Sequence, residues 1–125
     1  MLLDITAEEH SKNAELKTEI ERKNFTRAVH LAESLNLDDE ELDNLRYKAL
    51  CQMAETYRNT HGTKSLAQKY GYSKQEVKQI LEDHASRVSE DGSGKPLKIR
   101  YDSSSGKYLT FEDWIIRFIE KWHKF

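Results

Sequence analysis

Lys74, Gln75, Lys78 and Gln79 recur at the spacing that puts side chains on one side of an α-helix. Two amines and two carboxamides so placed carry a definite chemistry. A lysine ammonium can donate to guanine O6 and N7, and a glutamine amide can pair bidentately with adenine N6 and N7. Thr63, Lys64, Tyr72 and Ser73 fall near predicted helix starts, where hydroxyls, an amine and backbone N–H groups suit phosphate oxygens. Lysine and glutamine are also ordinary solvated helix residues, so residue type alone leaves contact with DNA and plain surface both open.

Other chemistries find less to work with. His10, His30, His61, His84 and His123 are scattered, and none forms an H-x-x-x-H or H-E-x-x-H pair. The single Cys51 lies within a helical pattern with apolar neighbours and reads as a small core hydrophobe. The chain has no G-x-G-x-x-G, no phosphate loop and no G-x-S-x-G elbow. The expectation is therefore no catalytic residue, no metal, no cofactor and no enzyme activity. The acidic run at 38–41 reads as carboxylates in the first turn of a helix, where they satisfy free N–H groups, rather than as a cation site.

The polar face needs two short helices to position it. In 63–81, TKSLAQKYGYSKQEVKQIL, Leu66, Ala67 and Tyr70 give an apolar patch on a first helix, and Val77, Ile80 and Leu81 give one on a second. Gly71 supplies the left-handed turn between them, and Ala67 is small enough for a tight crossing. Ser73 and Glu76 form an S-x-x-E capping box that starts the second helix. Together these residues resemble the helix-turn-helix of DNA-binding regulators, in general pattern rather than in any one family.

After a Gly-rich connection, SEDGSGKP, the segments PLKIRYD and KYLTF read as two strands around a Ser103-Ser104-Ser105-Gly106 turn. A hairpin after a helix-turn-helix is the layout of a wing. The resemblance to winged proteins would set Lys98, Arg100 and Lys107 on a DNA backbone. The last segment, TFEDWIIRFIEKWHKF, has Thr110 and Asp113 as a cap pair and one stripe of Phe111, Trp114, Ile115, Phe118, Ile119 and Trp122. Six large side chains could pack on the chain's own core, or Trp114, Phe118 and Trp122 could form an interface with a second copy or a protein partner.

Upstream, Thr6 and Glu9 read as a capping box for a weakly amphipathic first helix, and Phe25, Ala28, Val29, Ala32 and Leu35 mark a second. A third is expected over about 39–58, with Gly62 as its C-cap and Thr63 capping the helix that follows. The segment KNFTRAVHLAESLNL loosely resembles one tetratricopeptide unit through Phe25, Ala28 and Ala32. One unit cannot stack, so it reads as a helical hairpin.

The chain has 125 residues, of which 34% are charged, with a formal net charge of -2. Residues 1–63 hold 8 Lys/Arg against 13 Asp/Glu, whereas 64–107 hold 9 against 6, so the positive charge gathers on the motif and the segment after it. No apolar run is long enough to span a membrane. The start, MLLDITAEEH, lacks a secretory pattern, so a cytoplasmic location is expected.

The predicted fold is a mainly α helical bundle containing a helix-turn-helix, followed by a short β-hairpin and a C-terminal amphipathic helix. It is read as a single domain, 1–125: N-terminal helices at 1–62, helix-turn-helix at 63–87, linker and hairpin at 88–110, and last helix at 111–125. The expected function is a small DNA-binding protein reading double-stranded DNA, a transcriptional regulator acting as a homodimer. The alternative is a protein-interaction module of the same shape that binds no DNA.

Overall fold

The computed structural model describes residues 7–90 and 99–125. Six α-helices and one two-stranded antiparallel sheet are present among them, a mainly α architecture as the periodicity predicts. The capping box expected at Thr6, and Lys98 with most of the Gly-rich connection, lie outside the described residues. The chain divides into two compact units, Met1–Ala49 and Leu50–Phe125.

In the first unit, α1 (Ala7–Glu21) packs against α2 (Phe25–Ser34). The turn between them is closed without glycine. Lys23 takes the left-handed conformation at φ 60°, with Lys23 N donating to the Ile20 carbonyl and Asn24 N to that of Glu19. Ala28, Val29 and Ala32 are buried as the sequence spacing predicts, together with Leu31. The next helix, α3 (Asp39–Cys51), starts on the Asp38 side chain, which accepts from Glu41 N at 2.8 Å. The acidic run thus serves the helix start, as read from sequence.

In the second unit, the third helix does not run evenly to residue 58. A π-helical turn over Gln52–Thr56 follows α3, with Tyr57 N donating five residues back to Gln52, and Arg58 ends it at φ 49°. Asn59, not Thr63, then caps α4 (Thr60–Tyr70), accepting from Gly62 N at 2.8 Å. Gly62 is therefore inside the first turn of α4 and is not a C-cap. A Cβ there would lie 2.8 Å from Asn59 Cγ and 2.9 Å from Met53 Sδ, so the cap itself explains why this position is small.

Gly71, at φ 80°, closes α4 with Gly71 N bonded to the Gln68 carbonyl and Tyr72 N to that of Ala67. This is the paired arrangement of a Schellman end. The helix α5 (Lys74–Glu90) follows at once. Leu66, Ala67, Val77 and Leu81 are buried, so the two apolar patches read from sequence are the inward faces of α4 and α5.

Strands β1 (Arg100–Asp102) and β2 (Lys107–Leu109) pair with Tyr101 opposite Tyr108 and Asp102 opposite Lys107. The last helix, α6 (Phe111–Glu120), packs on α5 and gives way to a 3₁₀ turn at Trp122–Lys124. Its stripe builds the core: Phe111, Trp114, Ile115 and Phe118 are all buried, and the Trp114 and Phe118 rings stack at 4.9 Å. Full burial of each such side chain contributes about 1.5–3 kcal/mol. None of the described helices is long and apolar enough to cross a membrane.

Candidate nucleic-acid interface

The start of α5 is fixed by reciprocal hydrogen bonds. Ser73 N donates to Glu76 Oε1 at 2.9 Å, and Glu76 N donates to Ser73 Oγ at 3.1 Å. These bonds to Ser73, backbone first, hold the Glu76 carboxyl below the usual carboxylate range. The next residues, Lys74 and Gln75, are exposed, as is Gln79, whose amide donates to Asp83 Oδ1 at 3.0 Å. Lys78 is half-buried and lines a groove of about 320 Å³ with Glu82, Ile115, Ile116, Ile119 and Glu120. The four candidate residues thus share the first two turns of α5, with Lys78 beside carboxylates.

Two residues at the earlier helix are placed differently. Thr63 is fully buried, and its hydroxyl donates to the Asn59 carbonyl at 2.6 Å. It follows the cap by one turn, so it offers nothing to a phosphate. Lys64 turns toward the last helix: Nζ donates to the backbone oxygens of Trp122 at 2.8 Å and Phe125 at 2.9 Å, and sits 5.5 Å from the Trp122 ring centroid. Tyr72 is half-buried and meets the Tyr70 ring edge-on at 6.2 Å.

Of the two alternatives for the last helix, packing on the chain's own core is the one found for Trp114 and Phe118. Trp114 is 1% exposed and Phe118 0%, both inside their own unit. Trp122 is half-buried, its ring against Phe118 at 5.3 Å. The outward apolar residue of α6 is instead Ile116, 56% exposed.

The hairpin has the opposite phase from a strand that buries its apolar residues. Ile99, Tyr101 and Tyr108 are 63%, 55% and 73% exposed, whereas Asp102 is 3% exposed. Asp102 accepts from Ser104 Oγ at 2.9 Å and faces Arg117, whose Nε lies 3.5 Å from Oδ2. Arg117 Nη2 also donates to the Ser104 carbonyl at 3.3 Å. Arg58 holds the hairpin from beneath, with Nη1 donating to the Leu109 carbonyl at 3.2 Å, Nε to that of Glu55 at 2.9 Å, and its guanidinium 5.2 Å from the Phe111 ring centroid. Burial, and then the charge of Arg100, push Arg58 below the usual arginine range. Arg100 and Lys107 are exposed, and the one carboxylate within 99–110 is consumed inside.

Arg58, Asp102 and Arg117 carried no periodic signal. The exposed Tyr101 and Tyr108 did: a four-residue turn at 103–106 sets them directly opposite each other. His84 bonds Glu55 at 3.0 Å, joining α5 to the π-helical turn. Among the described residues, no cluster of three His, Cys, Asp or Glu side chains is placed to hold a metal ion. The chain matches no family model, no curated protein and no solved structure.

Proposed function

We propose that this chain is a small DNA-binding protein that presents α5 to the major groove of double-stranded DNA, as a regulator of transcription does. The observation that carries this reading is the start of α5. Gly71 and the Ser73 and Glu76 bonds fix its direction, and Lys74, Gln75 and Gln79 project into solvent just beyond them. Amines and carboxamides on the exposed first two turns of a fixed helix are what base edges require. Arg100 and Lys107 on the hairpin add cations suited to backbone phosphates. Titration of a labelled random duplex at low salt, read by fluorescence anisotropy, tests it. Binding weakened by combining Lys74→Ala with Lys78→Ala supports the reading, and no binding by the intact chain removes it.

A second reading, an interaction module without DNA, draws on the groove between α5 and α6. Ile115 and exposed Ile116 form its floor, and Glu82 and Glu112 its rim, in a volume of about 340 Å³. Acid around an apolar floor suits a basic amphipathic helix of a partner protein. Binding of such a helix by the intact chain, lost on Ile116→Asp, together with no duplex binding, would favour this reading.

A further inference from the structure

We infer that the outer face of the β1–β2 hairpin is a stacking platform for unpaired nucleobases, so that the preferred ligand is a duplex carrying a single-stranded extension. The inference rests on the DNA-binding reading and names the form of DNA that it takes. Tyr101 and Tyr108 are paired across the two strands, with ring centroids 5.3 Å apart and planes at 65°. Both rings stand mostly in solvent at 55% and 73% exposure, and Ile99 beside them is 63% exposed. They add little to the core, which Asp102 faces in their place. An exposed aromatic pair of this kind calls for a ligand with flat apolar faces.

Charge decides which ligand. Arg100 and Lys107 are both exposed, and strand alternation puts them on the face of the hairpin that Asp102 shares, opposite the rings. Arg117 and Arg58 lie beneath the hairpin, and the Asp102 carboxylate is turned inward against Arg117. The exposed carboxylates nearest in sequence are Glu112 and Asp113, already on α6. Two exposed rings on a hairpin that also carries exposed cations and no exposed acid fit a strand that has both base faces and phosphates. Bases within a duplex hide their faces in the stack, so only an unpaired strand can use the two rings. The polar start of α5 would then hold the paired part and the hairpin the unpaired part.

The test measures affinity of the full chain for three labelled DNAs at one salt concentration: a blunt duplex, the same duplex with a single-stranded extension of about ten nucleotides, and that duplex with an abasic extension of equal length. The abasic strand keeps the phosphates and removes the bases. Stacking is worth about five- to 150-fold in affinity per base, so the base-bearing extension is expected to bind about tenfold tighter than the abasic one, or more. Tyr101→Ala with Tyr108→Ala should abolish that advantage and leave blunt-duplex affinity within about twofold, while phenylalanine at both positions should retain it. Equal binding of base-bearing and abasic extensions overturns the inference, as does loss of blunt-duplex binding in step with the extension in the alanine variant. Tyrosine-dependent capture of the single strand without blunt-duplex binding would uphold the platform and sink the duplex reading. Binding to none of the three DNAs would sink both.

Discussion

Arg117 on α6 reaches across to Asp102 on β1, its Nε 3.5 Å from Oδ2, and the carboxylate it meets is only 3% exposed. This pairing, with Arg58 bonded to the Leu109 carbonyl, attaches the hairpin to the helices through charged side chains. The outward orientation of the tyrosines follows. In a strand, if Asp102 points in, its neighbour Tyr101 must point out.

Replacing Asp102 by Ala removes the carboxylate that faces Arg117 and that offsets the charge of Arg100 at Arg58. Breaking a buried ion pair costs about 3–5 kcal/mol, and partial exposure of Arg117 reduces this to about 2 kcal/mol here. Urea unfolding of Asp102→Ala should show that loss, with Asp102→Asn milder because the amide can still accept from Ser104. A variant as stable as the parent would show that the hairpin is held by other means.

Gly71→Ala isolates a backbone cost. No atom lies within 4 Å of the position a Cβ would take, yet φ is 80°, so only the left-handed conformation penalises the substitution. A loss of about 1–2 kcal/mol is expected, with Gly71→Asn losing less. The check is the urea midpoint at unchanged slope.

The box at the start of α5 makes stability depend on pH. The folded-state pKa of Glu76 is lowered by its bonds to Ser73. Its contribution is therefore present above the unfolded carboxylate pKa and is lost as pH falls through the lower folded value. Glu76→Gln should melt below the parent at about pH 7, and the gap should close toward about pH 3. A gap that stays constant over that range would show that the carboxylate charge is not involved.

Lys64→Met keeps the aliphatic stem but removes the ammonium that donates to the Trp122 and Phe125 backbone oxygens. The 3₁₀ turn at Trp122–Lys124 should loosen, at a cost of about 1–2 kcal/mol. A red shift in tryptophan emission before global unfolding would report it, since Trp114 is buried and Trp122 is the half-exposed indole. Identical emission and stability in the variant would count against this role for Lys64.

The helices on either side of Gly71 were legible in sequence because the signals are local: a Gly end, a capping box and two apolar patches within 63–81. The Phe111 to Phe118 stripe was legible for the same reason. What sequence did not reveal depends on partners far along the chain. Arg58 bonds Leu109 across 51 residues, and nothing near Asp102 announces that it faces inward. The start of α4 was misplaced for a smaller reason. Asn59 and Thr63 are both good caps one turn apart, and only the fold chooses between them. The last helix showed how much apolar surface it carried but not that its own unit would bury Trp114 and Phe118.

The central claim, that the start of α5 meets DNA, is tested most directly by the salt dependence of duplex binding. Each phosphate contact contributes about -0.9 to the slope of log affinity against log salt. The intact chain should bind duplex with a slope of several units, and combining Lys74→Ala with Lys78→Ala should make it shallower by about one to two. An unchanged slope in that variant, or no duplex binding at low salt, would contradict it.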